Sequence, residues 1–180
     1  MKILALDSSG LVASVAVVEN DTLLAEYTVN YKKTHSQTLL PMLDEISNMT
    51  ELDLSTIDAI AVAGGPGSFT GLRIGSATAK GLGLALEKPL ISIPTTAAIA
   101  YNIWDTDKFV CPIMDARRNQ VYTGVYCYTD HRLDTVWEQD TMSIEALAEG
   151  LNCLDHEVIF LGDGVAVYRE KLEALLTIPF

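Results

Sequence analysis

Cysteine is scarce in this chain: among 180 residues only Cys111, Cys127 and Cys153 occur. An odd number without close paired spacing argues against a disulfide framework or a thiolate metal site and leaves reduced core or surface thiols as the plain reading. Histidine is equally scarce, and His35, His131 and His156 show no metal-ligand spacing. Cations are few: 12 Lys and Arg stand against 24 Asp and Glu, a net charge of −12. A polyanion approaching the chain alone therefore meets net repulsion rather than steering, so nucleic acid is expected to be held mainly by another subunit. Long apolar runs are missing as well. Asp7 ends the N-terminal run before a signal-peptide core forms, and Glu87-Lys88 interrupts the best candidate short of the roughly 18 residues that span a membrane. A soluble, cytoplasmic protein without membrane contact is expected.

What is present is a globular composition, 49% hydrophobic and 20% charged, which excludes disorder and suits one large or two small domains. Residues 2–7, 12–18 and 22–29 read as adjacent strands, the last pair joined at Glu19-Asn20-Asp21. After Thr34 the period becomes helical, with Leu39, Leu40, Leu43 and Ile46 on one side and Met42 and Met49 flanking them. Residues 57–63 read as a strand buried on both faces, followed by Gly64-Gly65-Pro66-Gly67 and a helix to about Leu86, capped by Ser68 or Thr70. Pro89, a strand over 90–93 and a short helix opening at Pro94-Thr95-Thr96 follow. Shifting this first half by about 108 residues lays Asp7 on Asp115 and Val17 on Val125. The aligned turns and following helix imply a duplication, with domains at 1–105 and 106–180. The second ends at Phe180, where a further C-terminal helix would be expected.

The stretch from Gly64 to Gly75 is the most distinctive. A glycine-rich turn between a strand and a helix N-terminus gathers free N–H groups, a geometry that binds anions and equally serves a tight turn with a helix cap. It is not a Walker loop, because no Gly-Lys-Ser/Thr follows and the first cation is Arg73. Gly71, Gly75, Gly81 and Gly83 together cost the helix roughly 4 kcal/mol relative to alanine, which tertiary structure must offset. Gly71, Gly75, Ala79 and Gly83 recur at i+4 and form a stripe open to close approach by another backbone. The apolar positions of the preceding helix cover an arc of about 180°, wider than one-sided packing needs. Either the two helices pack only within the chain or they form a subunit interface; the second reading is favoured.

Leu6-Asp7-Ser8-Ser9, the segment Thr34-His35-Ser36-Gln37-Thr38-Leu39-Leu40-Pro41, the Gly64–Gly75 signature and Asp115-Ala116-Arg117-Arg118-Asn119-Gln120-Val121-Tyr122 together resemble the TsaB (YeaZ) family over nearly the whole chain. The resemblance implies an α/β duplicated ribonuclease H-like (actin-like ATPase) fold, with mixed sheets flanked by helices. It implies a role in forming N6-threonylcarbamoyladenosine in tRNA, as a noncatalytic subunit that activates a TsaD-type catalytic homologue, with the TsaE ATPase joining the complex and a homodimer forming when the chain is alone. The family's interface is built by the first two helices, which points to Leu39, Leu40, Leu43 and Ile46 on one and Gly71, Arg73, Gly75, Ala79 and Gly83 on the other. The catalytic relatives hold a metal with His-x-x-x-His; here Leu39 stands four residues after His35, so no metal site and no catalytic residue are expected. No cofactor is required, with weak ATP or ADP binding open at Asp7, Ser8, Ser9, Gly64 and Gly65 and at Asp115, Gly162, Asp163 and Gly164. Each of these is equally explained as a strand-end turn. The alternative is a free-standing ATPase or small-molecule kinase on the same fold; the superfamily's peptidase label finds no nucleophile with a base here.

Overall fold

The structure, a computed structural model, describes residues 1–31 and 35–180. Thr34, where the period changes, lies outside the described residues. The chain divides into two compact units, Met1–Thr95 and Thr96–Phe180.

In the first unit β1 (Lys2–Asp7), β2 (Ala13–Glu19) and β3 (Thr22–Val29) form an antiparallel meander, followed by α1 (Leu39–Thr50), β4 (Ala59–Gly65), α2 (Phe69–Leu86) and β5 (Leu90–Pro94). The sheet order is β3-β2-β1-β4-β5, with β4 parallel to β1. Period-two alternation puts Leu4, Leu6, Val15 and Val17 on one face, where Leu39, Met42, Leu43 and Ile46 of α1 cover them. Pro41 is accommodated because it sits in the first turn of α1, where no intrahelical N–H bond is lost. Of the run 57–63 expected to be buried on both faces, Ile57, Ala59 and Ile60 are buried, whereas Val62 and Ala63 line an open groove beside α2.

The second unit repeats the plan. β6 (Phe109–Arg117), β7 (Gln120–Thr129) and β8 (Arg132–Ser143) form the meander, followed by α4 (Ile144–Leu154), β9 (Val158–Leu161) and α5 (Gly164–Leu175). The order is β8-β7-β6-β9, with β9 parallel to β6. Three antiparallel strands, a helix and a strand parallel to the first, made twice, constitute the duplicated ribonuclease H-like fold. The core of this unit gathers Ile113, Val121, Val125, Leu147, Leu151 and Leu172.

The short helix α3 (Thr95–Ala100) lies across the division. Thr96 donates to Gln139 Oε1 at 2.9 Å and so accepts from the Tyr126 hydroxyl at 2.7 Å, and Ala100 packs with Val110 and Tyr126. Those bonds tie α3 to the second sheet, and the two units divide between Thr95 and Thr96. Among the described residues, no helix is long and apolar enough to cross a membrane.

Candidate functional site

In the first unit the parallel strands β1 and β4 end on the same side of the sheet, the side where ligands bind in α/β folds. Asp7 ends β1 and Ser8 and Ser9 follow it, the glycine loop leaves the end of β4, and a short hydrogen-bond ladder zips the two together. Ser68 donates its backbone N–H to the Ser9 carbonyl at 2.7 Å. Ser8 Oγ donates to the Gly71 carbonyl at 2.9 Å, and the Asp7 carboxylate accepts from Ser9 N at 2.7 Å. Ser68 Oγ accepts from Gly71 N at 3.3 Å and so caps α2. His35 Nε2 lies 2.9 Å from the Gly10 carbonyl, to which it can only donate. Ser8 and Ser9 are 2% and 4% exposed. The glycines permit this contact: a Cβ at Gly71 would stand 2.0 Å from the Ser8 carbonyl oxygen, and one at Gly67 would stand 2.4 Å from the Ser9 oxygen. Gly64 faces Ser92 of β5, and Gly65, at φ +109°, turns the chain out of β4.

The second unit has its own cluster at the end of β6. The Asp115 carboxylate accepts from Tyr168 Oη at 3.0 Å and from Arg117 N at 2.9 Å, while Asp163 accepts from Asp115 N at 3.2 Å. Gly162 and Gly164 lie against the Ile113 carbonyl, with added Cβ atoms at 2.4 and 2.9 Å from its oxygen. The structure thus brings Asp115, Gly162, Asp163 and Gly164 together, and close packing on β6 accounts for both glycines. Beside them Asn119 donates to both oxygens of Glu145, at 3.1 and 2.8 Å, and Lys171 bonds to Asn119 and Glu145. The Asn119 amide first, then a backbone N–H and Lys171, hold the Glu145 carboxyl below its ordinary range. Burial, then the bond to Asp115, pushes the Tyr168 hydroxyl up. Burial also pushes the Cys111 thiol up to about 12, so this cysteine is a neutral core group beside Thr123 and no nucleophile. Among the described residues no group of three or more His, Cys, Asp or Glu is placed to hold a metal ion.

The first unit also carries an open groove. About 590 Å³ in volume, it runs between α2 and β5, floored by Val62 and Ala63 and walled by Phe69, Leu72, Ala77 and Leu90. Arg73 and Lys80 sit on its rim, with the Arg73 guanidinium 5.2 Å from the Phe69 ring centre. Phe69 is 74% exposed and Leu84 83% exposed on the same helix, and Leu90 and Ile91 of the edge strand β5 are also exposed.

The family model described as "TsaD: tRNA N6-adenosine threonylcarbamoyltransferase" matches residues 22–176. The TsaB protein of Bacillus subtilis is 35% identical over 98% of this chain and 77% of its own length. The chain belongs to the TsaB family. The Escherichia coli TsaB is 32% identical over 91% of this chain and 72% of its own length. The solved structure of YeaZ from Pseudomonas aeruginosa superposes with a TM-score of 0.82 at 29% identity, covering 94% of this chain and 79% of that one.

For a TsaB chain, the residues expected at a partner surface divide sharply. Leu39, Leu43 and Ile46 are buried in the first unit's own core, and only the ends of the α1 arc, Leu40 and Met49, are exposed. The stripe of Gly71, Gly75, Ala79 and Gly83 is turned inward. Gly71 and Gly75 receive the backbone and hydroxyl of Ser8, Gly83 receives Leu90 and the Lys88 carbonyl, and Ala79 is fully buried. The close approach demanded by those small residues is made by the chain itself. Arg73 remains on the outer face. The exposed apolar residues there, Phe69 and Leu84, were missed; a helix whose inner face is already small and apolar has no need of them for folding, and that surplus was their signal.

Proposed function

We propose that this chain is the noncatalytic partner subunit in N6-threonylcarbamoyladenosine formation on tRNA, and that it docks on a TsaD-type catalytic homologue through the outer face of α2 and the groove beside β5. Its relatives from Bacillus subtilis and Escherichia coli bear the name tRNA threonylcarbamoyladenosine biosynthesis protein TsaB. The observation that carries the docking reading is the outer face of α2, where Phe69 and Leu84 stand almost fully in solvent. Large exposed apolar side chains around a groove mark a surface made to be covered. Arg73 and Lys80 on the rim favour carboxylates on the partner. The noncatalytic reading is supported by position 39, where a buried leucine stands in place of a second histidine, and by His35 being turned to the Gly10 carbonyl. The chain requires no cofactor, since the ends of β1 and α2 satisfy one another, and its affinity for ATP or ADP is weak. TsaE joins the assembled pair, tRNA is held mainly by the complex, and without its partner the chain pairs with a second copy through the same face.

Reconstitution tests this. The catalytic homologue, TsaE, threonylcarbamoyl-adenylate and tRNA are incubated with and without the chain, and modified adenosine is quantified. Product should rise at least tenfold when the chain is present; equal yields without it would sink the proposal.

A further inference from the structure

We infer that the tip of the β6–β7 hairpin, Arg117-Arg118, is a contact for successive RNA phosphates, which this chain adds to the complex; the inference rests on the tRNA-modification reading above. Arg117, Arg118 and Asn119 hold φ of +65°, +53° and +63° in succession. None is glycine, and non-glycine residues in that region persist only where their surroundings enforce it. Here they are enforced from both sides. The Asp115 carboxylate accepts from Arg117 N, while Glu145 and Lys171 clamp the Asn119 side chain. A tip that served only to reverse the chain would favour glycine; this one presents two cations instead.

Both arginines are exposed, and among the described residues neither forms an ion pair, although acids outnumber bases 24 to 12. The neighbouring cation Lys171, by contrast, is held by Glu145. Two unpaired guanidiniums on a pinned backbone are suited to phosphate. The form of the site chooses among phosphates. A small nucleotide is held in a concavity that covers most of its surface, whereas a hairpin tip is convex and meets a polymer whose phosphates come in series. The net charge of −12 opposes RNA binding by the chain alone, so the contact operates when the partner subunit carries most of the polyanion.

The test uses the complex of the full chain with its catalytic homologue, and reads tRNA affinity by fluorescence anisotropy across a salt series. Arg117→Gly/Arg118→Gly removes both cations and relieves the left-handed backbone, so the melting temperature should hold or rise. The slope of log affinity against log salt should nevertheless fall by about 1.4 to 1.8, the contribution of two phosphates. Arg117→Lys/Arg118→Lys should restore most of that slope. An unchanged slope in the glycine variant overturns the inference, as does a loss of ATP affinity with RNA affinity intact, which would assign the cations to a nucleotide. Modified adenosine formed equally well without the wild-type chain overturns the functional reading and this inference with it; product that needs the chain, with an unchanged slope, overturns the inference alone.

Discussion

One methyl group at Gly71 would stand 2.0 Å from the Ser8 carbonyl oxygen, and since that oxygen is backbone, no side chain can swing aside to admit it. At Gly81, ten residues further along the same helix, an added Cβ meets nothing within 4 Å. The two positions cost the isolated helix the same, about 1 kcal/mol each relative to alanine, but only one has a tertiary return. Gly71→Ala should therefore destabilise by about 3 kcal/mol or more, and Gly81→Ala should stabilise by about 1 kcal/mol. Urea denaturation checks both; a neutral Gly71→Ala would refute the close approach of α2 to the end of β1. The i+4 recurrence of small residues was legible in the sequence, and so was the need for something to approach it. What approaches was not, because a stripe of this kind looks the same whether the visiting backbone belongs to the same chain or to another. Ser8, two positions before a glycine and far from α2 in sequence, carries no signal that it is the visitor.

At the level of elements, periodicity located strands and helices well because each is driven by one buried face, as β1, β2 and α1 show around Leu4, Val15 and Ile46. The short helix α3 was legible from its opening at Pro94-Thr95-Thr96, not from a period. That helix is too short for a period, and its allegiance is decided by the bonds of Thr96 to Tyr126 and Gln139, which lie 30 and 43 residues away. For α2 the decisive distinction is between two apolar faces, the inner one fixed by glycines and the outer one carrying Phe69, Ala77 and Leu84. Those outer residues make no contribution to the core, so Phe69→Glu and Leu84→Glu should change unfolding free energy by no more than about 0.5 kcal/mol. Their effect on association should be much larger. Burying a carboxylate in an apolar contact, with two aromatic or aliphatic anchors removed, is expected to weaken binding to the catalytic homologue at least 30-fold, about 2 kcal/mol. Titration calorimetry with the purified homologue provides the measurement, with Leu40→Glu on α1 showing whether the covered surface extends to that helix. Unchanged affinity in both α2 variants would remove the docking surface from this face.

Taken as a whole molecule, the chain makes one topology twice, and the repeats place an aspartate, Asp7 or Asp115, at or near the end of the first strand of each. In an actin-like fold such aspartates invite a nucleotide reading. Each unit, considered by itself, answers it with local chemistry. Asp7 already binds Ser9 N, and the neighbouring serines are closed under the α2 N-terminus; Asp115 already binds Tyr168 and Arg117 N, while Gly162 and Gly164 are needed to approach Ile113. A phosphate would have to displace bonds that the fold makes with its own backbone, against a field set by 12 surplus negative charges. Titration calorimetry with magnesium and ATP should accordingly show affinity no tighter than about 1 mM, equivalent to about −4 kcal/mol. Asp7→Asn, which keeps an oxygen to accept from Ser9 N while removing the charge, should leave that weak binding within about twofold, because the carboxylate is expected to serve the turn and not a metal–nucleotide pair. Micromolar binding that disappears in Asp7→Asn would reverse the assignment: the zipped loops would then be a closed state that ATP opens, and the chain would belong with the kinases that share its fold.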